Sequence, residues 1–242
     1  MRKADLVVTD PPYNMAYEGA GKTPKAKREG NKILNDKMSN EDFRAFLAGF
    51  YACVFSALKD EGTFYVFYKE LGEGVFISEL EKSGLTFKQE LIWVKNQIVL
   101  GGSRYQNMYE PCLFGFKGKT PATWNGGRVQ RSVIETELND IEVREAYEKL
   151  LRELDTDVIR VKKNAVNDLH PTMKPIKLLA KFIRNSSDAG ESVLDPFGGS
   201  GSTLIACEQL GRKCYTMELD PKYCDVIIAR WEKLTGGKAI FN

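Results

Sequence analysis

The sequence predicts an α/β protein: a Rossmann-like, largely parallel sheet with helices on both faces. Three observations lead there. Short runs rich in β-branched and aromatic residues alternate with stretches whose apolar positions recur at helical spacing. The strand-like runs are almost wholly apolar, as expected of strands covered on both faces. Two of them end in turn chemistry, Asp10-Pro11-Pro12 and Asp195-Pro196-Phe197-Gly198-Gly199, at the point where open α/β sheets receive ligands.

Taken in order, residues 4–9 read as a buried strand ended by Asp-Pro-Pro. Residues 14–37 carry Gly19, Gly21 and Gly30 among Lys22, Lys25, Lys27 and Arg28, and read as a basic loop. Ser39-Asn40-Glu41-Asp42 has the form of a helix start, and Phe43, Phe46, Leu47, Phe50 and Val54 follow at helical spacing. A strand at 62–67, a helix over 72–83, a strand near 91–94 and a strand at 110–116 come next. From 117 to 168 charges of both signs dominate, and the stretch reads as a small insertion. The rhythm then returns: a helix over 175–184, a strand at 192–194, a helix from Thr203, a strand at 214–217 and a helix over 221–234. The chain thus divides into two halves of one core, 1–116 and 169–242, separated by the 117–168 insertion.

Bulk properties bound the function only loosely. The 242 residues are 43% hydrophobic and 28% charged with a net charge of +2, an ordinary globular composition. Any basic surface must be local. Five cysteines without a CxxC pair suit a reducing cytoplasm. One histidine, His170, leaves little room for a zinc site or a His-based triad, so no metal is expected. No apolar run reaches membrane-spanning length and no secretory leader opens the chain, so a cytoplasmic location is expected.

The loop from Asp195 to Thr203 lies between a predicted strand and a predicted helix. Its glycines permit a tight turn and close approach of a ligand to the backbone. About twenty residues later a second strand ends in Glu218, suited to accept hydrogen bonds from both hydroxyls of a ribose. A turn that merely needs small residues is the alternative. The loop lacks the Gly-Lys-Ser/Thr of a phosphate loop and is not a clean GxGxxG. A nucleoside without a pyrophosphate, such as S-adenosylmethionine (AdoMet), therefore fits it better than a dinucleotide.

Asp10-Pro11-Pro12-Tyr13 has a chemistry of its own. Two prolines remove two N–H donors and stiffen the turn, so the site offers acceptors. Asp10 and the Pro11 carbonyl can each take one hydrogen of an exocyclic NH₂, while Tyr13 stacks on a planar ring. That grip would draw the nitrogen lone pair out of conjugation and aim it at an electrophile. A stiff turn with a packing tyrosine is the alternative.

Together these motifs resemble the amino-group DNA methyltransferases, which modify N6 of adenine or N4 of cytosine. Asp10-Pro11-Pro12-Tyr13, followed by Asn14, is similar to their catalytic motif. Asp195-Pro196-Phe197-Gly198-Gly199-Ser200-Gly201 is similar to the cofactor loop, and Met217-Glu218-Leu219-Asp220 to the ribose-binding segment. His170-Pro171-Thr172-Met173-Lys174-Pro175 resembles the segment leading into a helix beside the cofactor, and Tyr109-Glu110-Pro111 a strand motif that usually has His before Glu. The catalytic motif precedes the cofactor loop, the circularly permuted order of the family's β class.

The resemblance implies Asp10, Pro11, Pro12 and Tyr13 as catalytic residues. It implies AdoMet contacts from Asp10, Thr172, Lys174, Asp195, Pro196, Phe197, Gly198, Gly199, Gly201, Ser202, Thr203 and Glu218. Thr172 and Lys174 would lie near the AdoMet carboxylate, and His170 would be positional. Residues 1–116 become the catalytic half, 169–242 the cofactor half and 117–168 a target-recognition insertion.

Double-stranded DNA is the implied partner, with the target base flipped out of the helix. Asn14, Lys22, Lys25, Lys27, Arg28, Arg128 and Arg131 are the residues expected to meet it, with solvated surface charge as the alternative for the basic ones. Trp93 and Trp124 read as core. The initial Asp leans towards N6 of adenine; N4 of cytosine, an RNA or protein amine, and a non-catalytic DNA-binding relic are the other readings. The family's sheet also has a strand beyond the ribose-binding one, for which this sequence offers no match. The expectation is a fragment, a sheet that lacks this strand, or a sheet edge completed by a partner or second copy.

Overall fold

Alternation along the central strands decides the architecture. In β1 (Ala4–Thr9), Leu6 and Val8 belong to one apolar cluster and Val7 to the other. In β2 (Leu58–Phe67), Tyr65 and Phe67 oppose Phe64 and Val66 in the same way. A strand with apolar side chains on both faces is stable only when both are covered. The computed structural model describes residues 3–14, 37–69, 73–95, 108–135 and 173–240, and in it both faces are.

One face carries α1 (Asn40–Ala57) and α2 (Glu73–Lys82), which bury Phe43, Leu47, Phe50, Tyr51, Val54, Phe76 and Leu80. Helix α1 begins where the sequence predicts: Ser39 Oγ accepts the Asp42 N–H at 3.1 Å, satisfying a donor the helix itself cannot. The other face carries α3 (Ile176–Ser186) and α4 (Ser202–Leu210), with Leu178, Leu179, Phe182, Ile183, Ala206 and Cys207 inside. Phe182 stacks on Tyr65 at 4.3 Å between centroids and 6° between planes. The last helix, α5 (Pro221–Thr235), starts at an Asp220 cap and brings Ile227 over the glycine loop.

The strands β3 (Leu85–Val94), β4 (Tyr109–Lys117), β5 (Val133–Glu135), β6 (Ser192–Asp195) and β7 (Lys213–Thr216) complete a seven-stranded sheet of order β5-β3-β4-β2-β1-β6-β7. Strand β1 is parallel to both β2 and β6, so the two motif-bearing strands lie side by side although almost the whole chain separates them.

Among the described residues the sheet is largely parallel as expected, with one exception: β4 runs antiparallel to both β2 and β3. Strands β3 and β4 follow one another in the chain, and antiparallel neighbours need no crossover helix. Strand β5, inside the predicted 117–168 stretch, joins the sheet parallel to β3, and the turn before it is strapped to the end of α3. There Asn125 donates to the carbonyls of Arg184 and Ser187, at 3.2 Å each. Residues 136–168 lie outside the described part.

Among the described residues β5 and β7 are the edge strands, with Tyr215, Met217 and Leu219 exposed on and just after β7, and no helix is long and apolar enough to cross a membrane.

The Phe182–Tyr65 stack ties α3 to the sheet centre. Phe182→Ala is expected to lower unfolding stability by about 3–5 kcal/mol, read from urea denaturation followed by circular dichroism. A loss below 1 kcal/mol, on the order of a surface change, would show that α3 is held by other contacts.

Candidate active site

The carboxyl ends of β1 and β6 form the site. Thr9 Oγ1, the last side chain of β1, donates to Asp195 Oδ1 at 2.8 Å, and the Phe197 N–H donates to the same oxygen at 3.1 Å. Asp195 is buried. Burial lifts its carboxyl to about 7 against the lowering bonds from Thr203, Thr9 and the Phe197 N–H.

Beyond Asp195 the loop folds as a cradle. Gly199 and Gly201 have φ of +53° and +80°, a conformation that suits glycine. A Cβ on Gly198 would press into the Thr216 hydroxyl and lie 3.2 Å from both Ile227 Cδ1 and the Met217 carbonyl. Glu218 closes the cradle, accepting from Gly199 N–H at 2.7 Å and Asp220 N–H at 2.9 Å, one on each carboxylate oxygen. Each oxygen keeps a lone pair for a further donor. Ser202 Oγ and Thr216 Oγ1 are buried here without a hydrogen-bond partner. Phe197 points away from the cradle into the α1 side, 6.1 Å from Phe46 and 5.7 Å from Phe50 between centroids. From α5, Arg230 donates to Ser200 Oγ at 3.0 Å and to its carbonyl.

At the end of β1 lies a cluster of charges. Asp10 receives the Tyr13 hydroxyl on Oδ1 and the Lys174 ammonium on Oδ2. The same hydroxyl lies 2.8 Å from Glu110 Oε1, and the same ammonium 2.6 Å from it. Lys95 holds Glu110 Oε2 at 2.7 Å. The reversal of β4 is what brings Glu110 here: its first residues lie at the edge where β1 and β2 end. Lys174 arrives from the other direction, two residues before α3, with its Nζ 4.8 Å from the Phe67 ring centroid and 5.8 Å from that of Tyr13.

Electrostatics separates the two carboxylates. Burial raises the proton affinity of Asp10; Lys174 opposes this and Glu110 adds to it, leaving Asp10 above its ordinary range. Burial would lift Glu110 too, but Lys174 and Lys95 together outweigh it and hold that carboxyl at about 2. The difference follows from the count of cations: Glu110 touches two ammonium groups and Asp10 one. Burial and both carboxylates keep Tyr13 protonated, and the two carboxylates keep Lys174 charged despite its burial.

The structure brings together Asp10, Tyr13, Lys174, Asp195 and the loop from Pro196 to Thr203. In it Lys174 pairs with Asp10 and Glu110, and the Tyr13 hydroxyl is engaged by carboxylates while its ring packs edge-on to Phe76 at 6.5 Å. Asn14, expected at DNA, has its amide committed elsewhere. It donates to the Met38 carbonyl at 3.0 Å and accepts from the Met38 N–H, fastening the turn to the approach of α1. Its φ of +59° is one that Asn tolerates. Arg128 is exposed in the turn strapped to the far end of α3, and the length of that helix, roughly 16 Å, lies between that end and Lys174; Arg131 follows on the way to β5. Trp93 is buried as expected, whereas Trp124 is partly exposed. Lys22, Lys25, Lys27, Arg28, His170 and Thr172 lie outside the described residues.

Sequence reasoning missed Lys95 and Arg230, and saw Glu110 only as part of a strand motif. Only for Glu110 was there a signal: an acid opening an otherwise apolar run.

Over residues 4–230 the chain matches the model of the N6/N4 family described as DNA methylase. It belongs to that DNA methylase family. Among its relatives, the DNA adenine methyltransferase YhdJ of Escherichia coli (strain K12) is 27% identical over an alignment 235 residues long that covers 93% of the methylase chain and 75% of that protein. Two solved structures share the fold. The crystal structure of the M1.HpyAVI–SAM complex superposes with a TM-score of 0.65 at 22% identity, covering 95% of the methylase and 89% of that chain. The PvuII DNA methyltransferase (cytosine-N4-specific) does so with 0.67 at 17%, covering 95% and 80%.

The cradle yields a direct test. Gly198→Ala is expected to cost about 1–3 kcal/mol of stability through overpacking. Thr216→Ala in the same chain, removing the hydroxyl in the way, should recover part of it. Equal stability of Gly198→Ala and wild type in chemical denaturation would show that the loop has room to yield.

Proposed function

We propose that the methylase transfers a methyl group from AdoMet to the N6 amino group of adenine in double-stranded DNA. The observation that carries this reading is the contact between the two motifs. An acceptor-rich turn opening at Asp10 sits one strand away from a glycine cradle with a ribose-type acid, and the Thr9–Asp195 hydrogen bond joins them.

The cradle fits the cofactor by its chemistry. Glu218 has lone pairs left for ribose hydroxyls, Gly198, Gly199 and Gly201 leave the backbone open, and buried Ser202 Oγ and Thr216 Oγ1 lack partners. Asp195, Pro196, Phe197, Thr203, Thr172 and Lys174 complete the proposed binding set, Phe197 by anchoring the loop. When bound, AdoMet supplies a methyl group made electrophilic by its sulfonium.

The chain's own residues do the rest. Asp10 and the Pro11 carbonyl accept the two amine hydrogens, Pro12 keeps the turn rigid, and the exposed part of Tyr13 meets the base. That arrangement orients the nitrogen lone pair, and orientation is a large part of the catalytic effect. Asp10, whose burial raises its proton affinity, is suited to take the proton that the amine sheds after transfer. The target base has to leave the duplex, at a cost of a few kcal/mol. Lys22, Lys25, Lys27 and Arg28 belong to the proposed phosphate contacts, with Arg128 and Arg131 lesser members.

Adenine is favoured by the Asp that opens the tetrad and by the name of the Escherichia coli relative. N4 of cytosine is the second reading, since the acceptor pair takes either amine and one structural neighbour is cytosine-N4-specific. Incubation with labelled AdoMet and unmethylated bacterial DNA, followed by nucleoside mass spectrometry, separates the two: 6-methyladenine is expected, and 4-methylcytosine would replace it. Label on RNA or protein alone, or none anywhere, overturns the DNA reading. Asp10→Ala should slow transfer by about 10²–10³-fold or more.

The pH dependence has a definite sign. Protonated Asp10 cannot accept from the amine, so the rate falls as pH drops through its raised value. The acid limb of the transfer rate should therefore centre above the ordinary aspartate range, near 4; a limb at or below that value would remove Asp10 from the role.

A further inference from the structure

We propose that Glu110 is a positioning residue: it takes over the two donors that occupy Asp10, freeing Asp10 to receive the target amine. The inference rests on the amine-transfer reading above. In the structure both oxygens of Asp10 are taken, Oδ1 by the Tyr13 hydroxyl and Oδ2 by the Lys174 ammonium. An incoming amine needs one of them. Both donors also lie within hydrogen-bond distance of a single second acceptor, Glu110 Oε1, at 2.8 Å from Tyr13 and 2.6 Å from Lys174.

A phenol carries one proton, so Tyr13 donates to one of the two carboxylates at a time. Turning that O–H from Asp10 to Glu110 is a rotation about the C–O bond and moves no heavy atom. Lys174 has three protons and keeps Glu110 while it lets go of Asp10. Lys95 holds the far oxygen, Oε2, at 2.7 Å, which leaves Oε1 facing the two donors. Glu110 is itself buried, so water does not compete for this role.

Charge balance supports the same division. Asp10 and Glu110 against Lys174 and Lys95 make a neutral cluster, and a neutral amine leaves it neutral only if Lys174 stays. Glu110 is the group that keeps Lys174 in place once Asp10 turns to the substrate. The groups facing Asp10 are Tyr13 on its own turn, Glu110 and Cys112 from β4, Lys174 from the approach to α3 and Asp195 from β6. Tyr13 and Cys112 stay protonated through burial and Asp195, lifted to about 7, itself changes charge near neutral pH, so Glu110 and Lys174 are the neighbours whose fixed charges act on Asp10 in opposite senses.

Single-turnover methyl transfer to unmethylated bacterial DNA, measured against pH with AdoMet binding followed by calorimetry, tests this. Glu110→Gln removes the charge and strengthens the hold of both donors on Asp10. It should slow transfer about tenfold at neutral pH and move the acid limb down by about one pH unit, with AdoMet affinity retained. Lys174→Met removes the cation that favours ionised Asp10 and should move the limb up by about one unit. The double variant E110Q/K174M, neutral at Asp10 again, should return it towards wild type.

Opposite shifts that cancel are not expected of a residue that only packs. An unmoved limb in Glu110→Gln, or a shift in the same direction as Lys174→Met, overturns the proposal. Should Glu110→Gln lose AdoMet binding because Lys95 is left unpaired, E110Q/K95M removes that ion pair as a unit and should show the same downward shift; an unmoved limb there overturns the proposal equally. Absence of transfer by the wild type would bring down the amine-transfer reading and this inference with it, whereas transfer with unmoved limbs removes this inference alone.

Discussion

Two carboxylates packed together at the carboxyl end of β1, Asp10 half-buried and Glu110 buried, set the main constraint on this molecule. Isolated charges in such a place cost several kcal/mol each, and the fold meets them with two ammonium groups and a phenol. Lys174 can reach Asp10 only because α3 starts at the carboxyl edge of β1. Glu110 can reach the same spot only because β4 runs against its neighbours. The antiparallel strand is thus tied to the chemistry of the site, since a parallel β4 would have carried its first residues to the opposite edge.

The second constraint is the adjacency of β1 and β6. A parallel pair puts both carboxyl ends, and so both motifs, at one edge of the sheet. Thr9 and Asp195 make that adjacency specific by a buried hydrogen bond. The glycine loop is then held from several sides: Glu218 from below, Arg230 from α5, and Phe197 lodged among the α1 aromatics. A loop fastened in this way can present open backbone to a ligand without collapsing into the space the ligand needs.

Much of this was legible in the amino-acid order. The start of α1 at Ser39 and of α5 at Asp220 follow from short-range capping, which a few consecutive residues decide. The glycine loop was readable because positive φ demands glycine locally, and the Asp-Pro-Pro-Tyr turn because proline chemistry is local too. Asn14 shows what local pattern leaves out: its amide closes onto Met38, whose proximity no short-range pattern reveals. Lys95 and Arg230 stayed invisible because a lone cation in a sequence has many solvated uses. Tyr13 and Glu110 are 97 residues apart, a separation over which no periodicity carries information.

The sequence by itself therefore determined the local pieces: the helices with their caps, the two motif turns, the acid after the second strand, and through them membership of an amino-group methylase family. Tertiary structure alone decided the direction of β4, the entry of β5 into the sheet, and the company that Asp10 keeps. The reason is physical. Backbone preferences and caps act over a few residues, whereas the proton affinity of Asp10 depends on which charges are packed beside it once water has been excluded. Those neighbours arrive from separate parts of the chain, and only folding brings Tyr13, Lys95 and Lys174 within 3 Å of Glu110 beside Asp10.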